Sequence, residues 1–345
     1  MVDAGAPLRS AAGYEALATV VIPARNEERF IGACLDSVLA QTYPNLEILV
    51  VDGSSTDRTR DVVNEYAERY GNIRLLRNEK RITPSSLNVG VAHASGEWFV
   101  RVDAHATVSP NYVEGAINHL RTGRWGAVGG FVDPIGVTPA GRAIARAMCS
   151  RFGIGNSAHH FAGEPKPADH VPFPAYPMAL LRELGGWNEE LITNQDFEFD
   201  YRAGLAGYEL LYDPALRISY HCQQSTRGVF RQFRRYGRGK ADVLALHPRS
   251  VRMRHFAAPA LVASLATAAA LVPLSRRPLA VVGSAYLAAL GLASALDGRG
   301  LDPPAQRRLP VVFAAMHIGW GVGFAERVGA LSSLRVRDAP GSRPQ

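Results

Sequence analysis

What most constrains the fold of this chain is an alternation in its N-terminal third. Short β-branched and aromatic runs each break off at a polar residue, and helical patterns lie between them. Thr19-Val20-Val21-Ile22 stops at Pro23 and is followed by Ala24-Arg25-Asn26-Glu27. Leu46-Glu47-Ile48-Leu49-Val50-Val51 ends in Asp52-Gly53-Ser54-Ser55, and the apolar stretch from Glu97 to Val102 ends in Asp103-Ala104-His105. Ile73-Arg74-Leu75-Leu76 is a further strand candidate. Between the first two runs, Phe30, Ile31, Cys34, Leu35, Val38 and Leu39 recur at helix spacing and give one apolar face. Asn26 is placed to cap that helix, and Pro44 ends the connection after it. Thr56 or Asp57 opens a second helix through about Tyr70, and Ser85 to His93 forms a third. Strand and helix in alternation predict a mostly parallel, doubly wound sheet with helices on both faces and right-handed crossovers. Ligands of such sheets collect at the carboxyl ends of the strands. Asn26 and Glu27, Asp52, and Asp103 with His105 are therefore expected to meet along one edge.

Farther on, Ala127-Val128-Gly129-Gly130-Phe131-Val132 reads as a fifth strand. Residues 133–175 are rich in Gly, Pro, His and Ala with little periodicity, and are expected to be a loop that covers a substrate rather than a linker. His159, His160 and His170 fall there, and no spacing ties them together as ligands. A short helix is expected from Tyr176 to Gly185, and Asn194-Gln195-Asp196 opens another to about Gly207. Acids in a first helical turn suit the helix dipole, so capping is the plainer role for Asp196. Glu209 to Pro214 is a last short strand. The three cysteines, Cys34, Cys149 and Cys222, are far apart and suggest neither a zinc site nor a disulfide framework, and Cys34 sits on an apolar helix face as a core residue.

The chain of 345 residues is 47% hydrophobic and 20% charged, which excludes wholesale disorder. Its formal net charge of +7 is uneven, with a basic patch running from Arg227 to Arg254. Such a patch favours phosphates, anionic lipid headgroups or nucleic acid. Nucleic acid is the weakest of these, because Phe230, Phe233 and Tyr236 follow amphipathic-helix spacing rather than a stacking platform. A solvated helix face is the plain alternative, but the apolar sequence that follows points to a membrane surface. Phe256–Leu274, Pro278–Leu296 and Leu309–Ala325 carry no charged residue. Each is near the roughly 17–20 residues that span a bilayer. Abundant alanine makes the first two only modestly apolar, and a buried bundle is the alternative. Three spans are expected. Arg276 and Arg277 oppose a simple positive-inside topology, whereas Arg299, Arg307 and Arg308 favour it. Residues 1–16 and 331–345 read as loose tails, without a basic-then-apolar leader at the N-terminus.

Several of these stretches form an ordered set. Thr19 to Glu27, together with Val50-Val51-Asp52-Gly53-Ser54-Ser55-Thr56-Asp57, resembles the opening of family 2 glycosyltransferases, which have the GT-A fold. Asp103-Ala104-His105 resembles their metal-binding Asp-x-Asp, with His in the last place. Gln195-Asp196 resembles a Glu-Asp pair whose Asp is the catalytic base, and Gln232-Phe233-Arg234-Arg235-Tyr236 resembles Gln-x-x-Arg-Trp with Tyr for Trp. The likeness covers residues 17–245 and is strongest to the succinoglycan-type exopolysaccharide branch.

The resemblance implies a GT-A (Rossmann-like) domain over residues 17–250 and a membrane region over 251–330 with about three apolar helices. It also implies that Pro23, Ala24, Arg25, Glu27 and Asp52, with Asp103 and Ala104, bind a nucleotide-diphosphate sugar. Asp52 would accept from a base N–H, and Glu27 would hold ribose hydroxyls. Asp103 and His105, completed by His221, would hold Mg²⁺ or Mn²⁺, since a hard oxygen and a borderline nitrogen suit either. Asp196 would be the general base of an inverting transfer. Gln232, Arg234, Arg235 and Tyr236 would contact the diphosphate or a lipid-linked acceptor, Arg forks being suited to phosphate. The expected acceptor is polyprenyl-linked or another glycan. The expected place is the inner (plasma) membrane, with the catalytic domain cytoplasmic. Gln195 and His105 also admit a membrane-anchored scaffold that binds a nucleotide sugar without turning it over. A sugar nucleotidyltransferase ranks lower, since Pro23 to Glu27 lacks a glycine-rich loop.

Overall fold

The computed structural model describes residues 16–155, 163–250 and 252–337, with the side chains of 332–337 left aside. His159, His160, most of the expected N-terminal tail and residues 338–345 lie outside the described residues. The chain divides into two compact units: residues 1–133 with 158–221, and residues 134–157 with 222–345.

The first unit is built on the alternating segments. Strand β1 (Ala18–Ala24) leads to helix α1 (Ile31–Leu39), β2 (Leu46–Asp52), α2 (Thr59–Arg69), β3 (Ile73–Arg77), α3 (Thr83–His93) and β4 (Trp98–Arg101). Strand β1 pairs in parallel with β2 and β4, and β2 pairs in parallel with β3. Fully buried Val20, Ile22, Ile48, Val50 and Val100 pack with Ile31, Cys34, Leu35 and Val38 of α1 on one face. Val21, Leu49, Val51 and Phe99 pack with Leu87 of α3 on the other. This two-sided burial explains why these strands read as continuous apolar runs rather than alternating ones. Asn26 does not cap α1. It adopts a left-handed conformation (φ 57°), and its side-chain oxygen accepts from the Thr56 amide, tying the β1 loop to the β2 loop.

The remainder of the sheet departs from the expectation of a mostly parallel arrangement. The chain continues through β5 (Ala106–Val108), α4 (Tyr112–Leu120), β6 (Trp125–Ile135), and later β7 (Lys166–Ala168), β8 (Ala175–Pro177), α7 (Met178–Glu183), α8 (Gln195–Leu205) and β9 (Glu209–His221). The strand order is β3-β2-β1-β4-β8-β6-β9-β5, with β7 on β9. Pairings of β8 with β4 and β6, and of β9 with β5 and β7, are antiparallel. The sheet is therefore mixed: a parallel half that carries the β1 and β2 loops, joined to an antiparallel half. Strand β9 has 13 residues, far longer than Glu209–Pro214, because its partners lie at both of its ends.

The second unit is helical. Residues 133–175 are not one irregular loop. They contain α5 (Pro139–Met148), whose buried face is made of Ala140, Gly141, Ala143, Ile144, Ala147 and Met148, and α6 (Arg151–Ile154). Small residues with arginines between them hid this amphipathic face. Helix α9 (Thr226–Leu246) begins at Ser225, whose hydroxyl accepts from the Gly228 amide. Two 3-10 turns lead to α10 (Ala257–Ala270), α11 (Arg277–Asp297), α12 (Pro303–Gln306) and α13 (Leu309–Arg337). Helices α9 and α13 touch at backbone level. A Cβ on Gly237 would lie 2.1 Å from the Trp320 carbonyl oxygen, and one on Gly323 would lie 2.0 Å from that of Arg234. Segments Arg277–Asp297 and Pro303–Leu331 are long and apolar enough to cross a membrane. The first expected span is not: α10 has 14 residues. At about 1.5 Å per residue it reaches about 21 Å, short of the roughly 30 Å hydrocarbon core. Pro273, just beyond its C-terminus, stops it.

Candidate active site

The strand-end edge of the parallel half gathers the expected polar groups. Ala24 stands opposite Asp52 in the β1–β2 ladder, and the Gly53 amide donates to the Ala24 carbonyl (2.8 Å). Asp52 is buried, and its carboxylate accepts from the Ser55 amide (3.1 and 3.2 Å), which shapes the loop after β2. The Glu27 amide donates to Thr59 Oγ1 (2.7 Å), and Arg25 Nη1 donates to the Arg81 carbonyl (3.3 Å).

Arg101 ends β4 and Asp103 lies two residues on, so both fall on one side of an extended chain. Arg101 is only 6% exposed. Its Nε and Nη2 donate to Asp103 Oδ1 (2.8 Å) and Oδ2 (3.2 Å), a two-pronged grip that matches the planar guanidinium to the carboxylate. Its Nη1 makes an ion pair with Oδ1 of Asp196 at the first turn of α8. One buried cation thus joins the two carboxylates for which the resemblance implies metal binding and base chemistry. Burial alone would push the Asp103 carboxyl up. The Arg101 charge, then that of His105, outweighs it and holds Asp103 below the usual carboxylate range.

His105 Nδ1 donates to Glu27 Oε1 (3.1 Å), which links the β4 end to the β1 loop. Burial opposes protonation of His105, but the Glu27 hydrogen bond and the Asp103 charge prevail and raise its pKa. Tyr220 on β9 stands opposite Ala106 on β5, so His221 falls one step beyond the paired residues, next to the His105 position. Its ring packs against Phe30, with centroids 4.9 Å apart. Among the described residues, no group of three or more His, Cys, Asp or Glu side chains is disposed to hold a metal. Asp103 and His105 supply one oxygen and one nitrogen donor, a set that fits a cation completed by diphosphate oxygens rather than a site built wholly of protein.

Helix α8 carries a buried carboxylate one turn after Asp196. Asp200 accepts from Tyr176 Oη (2.7 Å), His170 Nδ1 (2.7 Å) and the Val171 amide (3.1 Å). Glu198 points elsewhere and grips Arg202. The Asp200 network anchors α8 against β8 and so fixes where Asp196 stands. It pushes the Tyr176 hydroxyl well up, by burial first and the Asp200 charge second. Neither Arg101 nor Asp200 stood out as a site residue in the sequence. The available signal for Arg101 was a charged residue closing an otherwise apolar strand, in step with Asp103.

The remaining motif residues lie in the second unit, on α9. Gln232 Nε2 donates to Tyr236 Oη (2.9 Å). Arg234 gives its fork to Glu326 of α13 (3.0 and 2.6 Å), and Arg238 grips the same carboxylate. Arg235 is the next residue on that helix.

The family model described as glycosyl transferase family 2 matches residues 19–184, the segment from β1 through α7. Over 232 residues the chain is 30% identical to a Methanococcus voltae protein, covering 64% of this chain and 72% of that one. The chain belongs to glycosyl transferase family 2. That relative is named dolichyl N-acetyl-alpha-D-glucosaminyl phosphate 3-beta-D-2,3-diacetamido-2,3-dideoxy-beta-D-glucuronosyltransferase. This family 2 glycosyltransferase is also 29% identical over 308 residues to the succinoglycan biosynthesis protein ExoA of Rhizobium meliloti (strain 1021), covering 88% of this chain and 93% of ExoA. Its fold is similar to that of the mannosyltransferase PcManGT from Pyrobaculum calidifontis, solved with GDP-Man and Mn²⁺. The TM-score is 0.58 at 22% identity, covering 91% of this chain and 88% of the other.

Proposed function

We propose that the protein is an inverting glycosyltransferase. It moves a sugar from a nucleotide-diphosphate donor to a membrane-associated, polyprenyl-linked acceptor in cell-surface or exopolysaccharide synthesis. The observation that carries this reading is the convergence of Asp103, Asp196 and His105–Glu27 on the strand-end edge. Asp196 would take the proton of the acceptor hydroxyl, which requires it to reach that oxygen on the side away from the departing nucleotide. Glu27 and Asp52 would hold ribose and base, with Pro23, Ala24, Arg25 and Ala104 shaping the pocket wall. Asp103 and His105 would hold Mg²⁺ or Mn²⁺, and when bound the cation supplies Lewis-acid stabilisation of the leaving diphosphate. His221, on the neighbouring strand position, is the third candidate donor. Mn²⁺ and GDP-Man in the PcManGT complex support a nucleotide sugar with a divalent ion. The dolichyl phosphate in the archaeal relative's name supports a lipid-linked acceptor. The two long apolar helices support a place at the inner (plasma) membrane, with the catalytic unit on the cytoplasmic side where nucleotide sugars are made. Gln232, Arg235 and Tyr236 of α9 are the residues proposed to meet the acceptor's phosphate. Arg234 is committed to Glu326 and would have to exchange that partner to join them.

The engagement of both site carboxylates by Arg101 favours a second reading, a scaffold that binds a nucleotide sugar and leaves it intact. Detergent-purified protein separates the two. A thermal-shift panel of nucleotide sugars should give a Mn²⁺-dependent shift for one donor that is lost in Asp103→Ala. The same donor should be slowly hydrolysed. A shift without any hydrolysis or transfer supports the scaffold, and no shift from any donor in folded protein overturns both.

A further inference from the structure

We propose that Arg101 is a positioning residue of the transfer reaction: it clamps Asp103 and Asp196 into one unit and sets the charge that a divalent cation meets at Asp103. The proposal rests on the glycosyltransferase reading above.

Arg101 closes β4, a strand otherwise composed of Trp98, Phe99 and Val100. A guanidinium at 8% side-chain exposure is costly to desolvate and persists only where opposite charge meets it. Here its donors are divided between two acids more than ninety residues apart in sequence, one at a strand end and one at a helix start. The carboxylates themselves are less buried, at 20% and 22% side-chain exposure, and so remain open toward a ligand. Asp103 keeps lone pairs beyond those taken by Nε and Nη2, so a cation can still bind it, but against a positive charge already in contact. Asp196, in turn, is oriented by the same guanidinium at Oδ1, with Gln195 Nε2 on its other oxygen (3.4 Å). The Asp-x-His sequence places an imidazole where the family motif has a second carboxylate, so Arg101 and His105 together leave this edge less negative than two acids would. Arginine is needed for the arrangement, because one ammonium cannot hold both oxygens of Asp103 and reach Asp196 as well.

Two opposed effects follow from removing the clamp. Arg101→Met takes away a competing cation, so Mn²⁺ binding should tighten by about three- to tenfold. Asp196 loses its orientation, so kcat should fall by about thirtyfold or more. A residue that merely supports the fold would weaken binding and turnover together. Because Arg101→Met leaves two acids facing each other, it is run beside Arg101→Lys. The lysine keeps the charge but not the fork, so Mn²⁺ affinity should stay within about threefold of wild type while kcat falls by about tenfold or more.

The experiment is a Mn²⁺ titration followed by electron paramagnetic resonance, with UDP and with GDP, on wild type and both variants in detergent. It is paired with kcat and donor KM, and with near-ultraviolet circular dichroism to confirm folding. Tighter or unchanged Mn²⁺ binding together with slow turnover in folded Arg101→Lys supports the clamp. Wild-type kcat in Arg101→Lys, or weakened Mn²⁺ binding in folded Arg101→Met, overturns it. If wild type itself shows no Mn²⁺ binding with either nucleotide, the proposed metal site at Asp103 and His105 fails and the clamp with it. If wild type binds and the variants match it throughout, only the clamp fails.

Discussion

A carboxylate can serve as a base only if something holds it in place without taking its proton-accepting oxygen away. Asp196 is held by Arg101 at Oδ1 and by an α8 anchored at Asp200, while its Oδ2 accepts a long hydrogen bond from Gln195 Nε2 (3.4 Å). Asp196→Asn keeps the shape and removes the basicity. It should lower transfer by about 10²–10⁴-fold while donor affinity stays within a few-fold, as read by initial rates beside a thermal shift. Normal turnover in that variant would reassign the base. A different residue sets how stability follows pH. Buried Lys240 on α9 has its pKa lowered from 10.5 to about 7, by burial first and by Arg254 second. At this group unfolded chains bind more protons than folded ones between those two values, so its contribution to stability should rise with pH across that window, by up to about 1.4 kcal/mol per unit. The thiols of Cys34 and Cys222, pushed up by burial, act the opposite way above about pH 8.5, where unfolded thiols lose their protons. Melting curves in detergent from pH 7 to about 8.5 should show this rise, and Lys240→Met should flatten it. Acids at strand ends were legible from sequence because an apolar run breaks off there. Arg101 and Asp200 were not, because their partners come from distant segments that only the closed sheet brings together.

Elements fared unevenly for a physical reason. Strands buried on both faces, β1, β2 and β4, announce themselves as apolar runs, and their order follows from crossover rules. Strand β5 has three residues and exists through its pairing with β9, and β8 through pairing with β4 and β6, so local sequence carries little sign of either. Strand β6 passes so close to β9 that a Cβ on Gly130 would sit 1.9 Å from the Leu216 carbonyl oxygen. Backbone cannot yield there as a side chain would, so Gly130→Ala should cost about 2–3 kcal/mol or more and lower the melting temperature accordingly. Among the apolar helices, length decides. Single cysteines placed near the two ends of α10, in a chain freed of Cys34, Cys149 and Cys222, should both react with an impermeant thiol reagent from one side of a vesicle. Residues near the two ends of α11 should react from opposite sides. Opposite-side labelling of α10 would restore it as a span.

At the scale of the whole molecule, the chain passes between its two units three times, at 133/134, 157/158 and 221/222. The sequence pointed to a division near residue 250, where charge gives way to apolar composition. Packing divides the chain otherwise, because α5, α6 and α9 find their helical partners in α12 and α13. Truncation after residue 250 would leave the α9 face that meets α13 without its partner, including close-packed Arg234 and Gly237. The truncated protein should aggregate when expressed, whereas the full chain is recovered in detergent. Monodisperse truncated protein on size exclusion would argue against this. The ion pair between Arg142 and Asp302 joins residues 160 apart in sequence. Synthesis at about 5–20 residues per second puts roughly 8–30 s between the emergence of α5 from the ribosome and that of its partner. For that interval α5 has α6 and then α9 to rest on, but not the α12 and α13 helices that complete its packing. The pace of translation, or a chaperone that bridges the wait, is thus part of what this topology requires.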